Sequence, residues 1–180
     1  GHAGQIETAR NIRTLIEGSQ LIDSTKKVQD AYSLRCAPQV IGAARDAIGY
    51  ARKIVTEEIN AATDNPLIFL DLEGENKSRS GGNFHGESIA LTLNLLSLAI
   101  AEIGNISERR VFRLTSAHLS DGLPMMLVEG GGAHSGLMMA QVTAASLVSD
   151  SKPLANPDSV DSIPTSADQE DHVSMSTNAA

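Results

Sequence analysis

At 180 residues the chain is long enough for one domain with a real core, and 41% hydrophobic residues argue against disorder. Aromatics are only 3% and Trp is absent, so the apolar content is aliphatic, which favours packed helices over an aromatic-rich sheet. A net charge of −8 argues against nucleic acid and anionic membrane surfaces as partners, and a single cysteine, Cys36, excludes an internal disulfide framework and fits a reducing cytosol.

The first element is predicted from about Gln5 to Glu17, where Ile6, Ala9, Ile12 and Ile16 recur at helical spacing and Gly18 ends the run. Residues 19–35 lack steady periodicity and read as a loop with short turns. From Pro38, a residue suited to a first helical turn, Ile41, Ala44, Ile48, Ala51, Val55 and Ile59 recur every three or four positions. This predicts an amphipathic helix of roughly 24 residues, about 36 Å long. Asp64-Asn65-Pro66 stops it. Leu67 to Leu70 is a short apolar run suited to a strand, and the charged, Gly/Ser-rich stretch to Gly82 reads as a hairpin or loop.

Asn83 is placed to cap the next helix, with Glu87 near its positive end. Between Ile89 and Ile106 the apolar residues surround the whole circumference, interrupted by Asn94, Ser97 and Glu102. A helix of that kind must be covered on every side. The helices available are too few to do so, which predicts partner subunits, further polypeptide, or both. A membrane span is not expected, because the charge-free core is short and Glu102 interrupts it. Residues 107–120 carry Glu108, Arg109, Arg110 and Arg113 and continue out of the core until Gly122 and Pro124. Gly130-Gly131-Gly132 reads as a connector. Leu137, Ala140, Ala144 and Leu147 mark a fourth long helix, stopped by Pro153 and Pro157. Ser166-Ala167-Asp168-Gln169 has capping-box spacing and predicts a last helix. The chain begins at Gly1 and stops in a stretch that still reads as helix, so it reads as a piece of something longer.

The most specific stretch runs from Gln29 to Val40. Tyr32 and Arg35 sit three residues apart just before Pro38, where a guanidinium can hold a carboxylate while a phenol handles a proton. The opening of the long helix, with free N–H groups and a positive dipole end, is a natural seat for an anion and would ease proton removal from Tyr32. The plainer alternative is a surface tyrosine and a solvated arginine. His85-Gly86-Glu87 has the H-x-E spacing of zinc deaminases, but one cysteine cannot supply the remaining ligands, and His2, His118, His134 and His172 show no ligand spacing. No metal site is expected. Gln169 to His172 reads equally well as an acidic first helical turn, and Phe84 as a core anchor.

The ordered series resembles the histidine ammonia-lyase family over nearly the whole chain. It comprises Gln29-Asp30-Ala31-Tyr32-Ser33-Leu34-Arg35-Cys36-Ala37-Pro38-Gln39, Asp64-Asn65-Pro66-Leu67, Ser80-Gly81-Gly82-Asn83-Phe84-His85, Gly122-Leu123-Pro124, and the stretch from Ser166 to Met175. That resemblance implies non-oxidative loss of ammonia from L-histidine to give urocanate, with an electrophilic methylidene-imidazolone cofactor made from an internal Ala-Ser-Gly. It implies Tyr32 and Glu170 as catalytic residues, and Gln29, Arg35 and Phe84 as substrate-binding residues, with Glu170 near the imidazole or amino group. It also implies a homotetramer whose active sites draw on several subunits.

No Ala-Ser-Gly occurs in the 180 residues. Residues 1–180 are therefore expected to be a single piece of the central helical domain of a cytoplasmic lyase, lacking the N-terminal cofactor-forming region and the C-terminal region, and inactive alone. The expected fold is all-α: long, roughly antiparallel helices with one short strand or hairpin. Two alternatives stay open: a phenylalanine or tyrosine lyase, and a non-catalytic helical module kept for oligomerisation.

Overall fold

The computed structural model describes residues 1–179. Among the described residues the regular secondary structure is helical apart from one two-stranded hairpin. In chain order the elements are α1 (Ala3–Ile16), α2 (Tyr32–Arg35), α3 (Ala37–Ile59), β1 (Leu67–Ile68), β2 (Ser78–Arg79), α4 (Glu87–Thr115), α5 (Met138–Leu154) and α6 (Ser176–Ala179). They form two compact units, one of Gly1–Ala47 with Ser97–Ala155, the other of Ile48–Leu96 with the chain from Asn156 onward.

In the first unit α1 and the start of α3 approach until their backbones nearly touch. A β-carbon on Gly4 would lie 2.1 Å from the carbonyl oxygen of Gly42, and one on Gly42 would lie 2.5 Å from the amide nitrogen of Gln5. Only glycine at both positions permits this crossing. The Gly4 amide, one of the orphan donors of the first turn of α1, donates to Asp46 Oδ1 at 2.7 Å. The buried apolar residues of this unit are small as well: Ala37, Ala44, Ala99 and Ala155, joined by Ile106. Chain-wide, small side chains of this kind bury little surface each, while many leucines and isoleucines stay exposed.

α4 is a single helix of 29 residues, about 44 Å long at helical rise. The two stretches read separately from the sequence are thus one element. Its apolar circumference is only partly covered, with Leu91 55%, Leu98 47% and Ile100 56% exposed. By length and composition alone the segment Asn83–Thr115 could cross a membrane, a test that core helices of soluble proteins also pass; Glu102 still interrupts its apolar run. Buried Glu108 on this helix accepts a hydrogen bond from Arg109 Nε at 2.5 Å. That bond raises the guanidinium's pKa above its ordinary value; desolvation opposes it in part, and the negative charge of Glu108 adds a smaller increase.

In the second unit the hairpin pairs Leu67 with Arg79 and Ile68 with Ser78. The Asn65–Pro66 bond before it is cis. Asn65 Oδ1 accepts from the Gly81 amide at 3.1 Å and from Ser80 Oγ at 3.2 Å, so the residue that ends the α3 connection also ties down the far arm of the hairpin.

Three local expectations are corrected. Asn83 does not cap α4: it opens a 3₁₀ turn (Asn83–His85), its amide donates to the Ala62 carbonyl at 3.2 Å, and Gly86 at φ 77° makes the break before Glu87. Pro153 does not stop α5 but lies inside its last turn, the helix ending at Leu154 with the Ala155 amide bonded to the Ser151 carbonyl at 2.9 Å. Ser166 to Gln169 starts no helix. Ser166, Ala167 and Asp168 all have left-handed backbone, and the Thr165 amide bonds the Glu170 carbonyl at 2.9 Å, closing a tight loop. Capping-box spacing needs an apolar run behind it to repay the ordering of a helix, and the loop's own hydrogen bonds win here. The expected helical ending is reduced to α6, and Ala180 lies outside the described residues.

Candidate active site

The sequence-predicted residues fall into two clusters, each within one unit. In the first, Tyr32 and Arg35 occupy α2, a single turn held by the Arg35 amide to the Ala31 carbonyl at 3.0 Å and the Cys36 amide to the Tyr32 carbonyl at 2.9 Å. Three residues along a helix places side chains on neighbouring positions of one face. The guanidinium carbon of Arg35 lies 4.4 Å from the centroid of the Tyr32 ring, within cation–π range. Tyr32 is 69% exposed. Neither side chain makes a hydrogen bond or ion pair among the described residues, so the edge donors of the guanidinium and the phenol oxygen are both uncommitted. Gln29 stands exposed in the bend before α2.

The expected open mouth of the long helix is corrected. Only Cys36 separates α2 from α3, and the Gln39 and Val40 amides both bond the Cys36 carbonyl, each at 3.1 Å. Pro38 has no amide hydrogen to offer. The anion-holding capacity at this point therefore resides in the Arg35 side chain. A cavity of about 230 Å³ in the same unit is lined by Ser33 and Leu34 with Arg110 and Arg113, and Arg110 Nε donates to the Ser33 carbonyl at 2.7 Å. Tyr32 and Arg35 do not line it.

The second cluster surrounds a cavity of about 400 Å³ lined by Phe84, His85, Glu170, His172 and residues Val173 to Thr177. Phe84 reaches it from the 3₁₀ turn before α4 and is 58% exposed. Glu170 reaches it from the end of the 165–170 loop, with a carboxylate that makes no hydrogen bond or ion pair among the described residues. The strand-like residues after Glu170 are fastened to the turn by Ser174 Oγ, which donates to the His85 carbonyl at 2.7 Å. The cavity thus combines one aromatic wall, one uncommitted carboxylate and two imidazoles.

His172 is the residue that spacing could not reveal. It lies 87 positions from His85, yet its Nδ1 is 3.5 Å from His85 Nε2 and the rings stack at 5.5 Å between centroids. The H-x-E spacing of His85 and Glu87 is visible in the sequence, where it predicts no metal site.

Against known proteins, the family model described as "Aromatic amino acid lyase" matches residues 1–180. A histidine ammonia-lyase of Caldanaerobacter subterraneus subsp. tengcongensis is 60% identical over 181 residues, covering 99% of this chain and 35% of that protein. The crystal structure of histidine ammonia-lyase from Trypanosoma cruzi superposes with TM-score 0.86 at 49% identity, over 99% of this chain and 32% of that one. Tyrosine aminomutase from Streptomyces globisporus superposes with the same TM-score of 0.86 at 39% identity, over 99% of this chain and 38% of that one. The chain therefore spans about a third of the length of the relatives it matches. Its fold is the helical one of these lyases, and the chain belongs to the aromatic amino acid lyase family.

Proposed function

We propose that the chain is part of a histidine ammonia-lyase, which eliminates ammonia from L-histidine to give urocanate. The observation that carries this is the contact of Arg35 with Tyr32, a carboxylate-holding cation and a proton-handling phenol on one helical turn with neither otherwise engaged. Identity is higher to the histidine enzymes (60% and 49%) than to the tyrosine aminomutase (39%), which supports histidine over tyrosine as substrate.

In the reaction the Cα–N bond breaks, a proton leaves Cβ, and a double bond forms between them. Arg35 would grip the substrate carboxylate through its planar fork of N–H donors, fixing the Cα end of the molecule. Tyr32, beside it, would carry the proton. Gln29 would line the same approach. Glu170 would meet the imidazole or the amino group by a charge-assisted hydrogen bond, a contact that an isosteric amide cannot match in strength. Phe84 would border the substrate as an apolar wall.

The methylidene-imidazolone of this family supplies an electrophile that turns the amine into a leaving group. The described residues can only border such a group: the 180 residues hold no Ala-Ser-Gly, while the open cavity beside Phe84 leaves an uncovered wall. The tripeptide would come from other polypeptide.

The same logic supports assembly. Exposed Leu91, Leu98 and Ile100 on α4 would be covered by further chain and by other subunits of a homotetramer, in a cytoplasmic enzyme. The 180 residues would then be a piece of the central helical domain, carrying site residues without a complete site.

Urocanate formation followed by ultraviolet absorbance tests this directly, with the whole polypeptide and with these 180 residues alone. Turnover of histidine by the whole polypeptide and none by the 180 residues is expected. Preference for phenylalanine or tyrosine would move the substrate within the family. Activity of the 180 residues alone would overturn their dependence on an external cofactor.

A further inference from the structure

His85, Glu87 and His172 form a group that the proposed lyase chemistry leaves unused. His85 ends the 3₁₀ turn, Glu87 opens α4 two residues later, and Gly86 between them bends the chain through a left-handed conformation. His172 arrives from the segment that Ser174 pins to the His85 carbonyl. One donor atom from each of the three lies within 4.8 Å of the other two.

Their mutual contacts are poor as hydrogen bonds. His85 Nδ1 is 3.6 Å from Glu87 Oε2, and His172 Nδ1 is 3.5 Å from His85 Nε2, both beyond the usual range. The other neighbour of His85 Nε2 is the His172 carbonyl at 3.3 Å. Glu87 Oε2 is buried with no hydrogen-bond partner, a costly state for an ionised oxygen. These two contacts engage different ring nitrogens of His85, so one ion can take only one of them. One donor atom from each residue then lies within 4.8 Å of the other two, and a small rotation closes the set toward the roughly 3.4 Å between ligand atoms that share a tetrahedral zinc ion at about 2.1 Å.

We propose that these three residues are a binding site for a divalent transition-metal ion of the zinc class. His85 and His172 each give one ring nitrogen and Glu87 gives one carboxylate oxygen. Two imidazoles and a carboxylate are a donor set that zinc accepts with a fourth position left open. His85 and His172 line the cavity that Phe84 and Glu170 also line, while Glu87 lines a neighbouring cavity on the other side of His85. His172 is the exposed member, so its side chain can rotate to close the set. The ion fastens the segment that carries Glu170 to the head of α4. This site stands apart from the lyase reading, because its readout is metal binding and not turnover.

Cobalt(II) tests it as a probe. The whole polypeptide carrying these residues, stripped with chelator, is titrated with cobalt(II) and watched for the visible bands of four-coordinate cobalt. Bands saturating at one equivalent per chain, and removed by zinc, are expected. In His172→Gln and in His85→Gln the affinity falls by more than the roughly 10- to 100-fold that loss of an outer-shell partner costs. Far-ultraviolet circular dichroism checks that each variant stays folded, which is expected above all for the exposed His172. Absence of bands at one equivalent, or undiminished binding in either variant, overturns the site.

Discussion

The guanidinium of Arg35 lies over the ring of Tyr32, 4.4 Å from its centroid, on the same single turn of helix. The contact spends the face of the guanidinium and leaves its N–H edges for a carboxylate. The two side chains to which different tasks are proposed are thereby held in one place by each other. In the complete enzyme Arg35→Lys should lower kcat/KM by roughly 10- to 100-fold, mainly through KM, because a point charge replaces a planar fork. Unchanged KM for histidine would remove the carboxylate clamp.

Tyr32→Phe keeps the stacking partner and deletes only the hydroxyl. A fall in kcat of about 100-fold or more, with KM nearly constant, is expected for a group that moves a proton. Steady-state rates across pH decide it. A variant with wild-type kcat leaves Tyr32 as a platform for Arg35 and nothing more.

Glu170→Gln preserves shape and removes charge. Turnover of histidine should drop by roughly 10- to 100-fold, the worth of one hydrogen bond to a charged group. Should histidine turnover survive intact, the substrate would not be read by this carboxylate, and specificity would have to lie elsewhere.

The crossing of α1 and α3 makes a stability prediction. Gly42→Ala drives a methyl to 2.5 Å from the Gln5 amide nitrogen, where backbone and not a flexible side chain must give way. Overpacking of this sort costs about 1–3 kcal/mol. Urea denaturation should show a lowered midpoint, and an unaltered midpoint would mean that the two helices are free to separate.

Leu91 and Leu98 are two helical turns apart on α4 and both half-exposed. Replacing each with Glu puts charge where other chain is proposed to pack. Light scattering should report a species smaller than the proposed tetramer. A full-sized assembly from the double variant would show that this face is not an interface.

Much of the fold was legible because its signals are local. Ile6 to Ile16 and Ile41 to Ile59 announce α1 and α3 through period alone, and observed bounds of Ala3–Ile16 and Ala37–Ile59 follow the pattern closely. Pro66 marks a break for the same reason, because its ring closure acts on its own backbone, whereas the break at Gly86 was not read from the sequence. The failures share a different cause. Asn83 had a cap to make and instead bonds Ala62, 21 residues back. Ser166 had the spacing of a capping box, yet the loop closes on its own 165–170 bridge. At both places a competing hydrogen bond outweighed the local preference.

The site divides along the same line. Tyr32 and Arg35 were readable as a pair because three residues on a helix are neighbours by geometry, and Glu87 was readable beside His85. Their chemistry was written in side-chain type and short spacing, which are properties of the chain before it folds. Tertiary structure alone decided that Gly4 must meet Gly42, that Phe84 and Glu170 share one cavity, and that His172 stands against His85. Those juxtapositions depend on closing loops of tens of residues, whose outcome is set by packing and not by any neighbour in sequence.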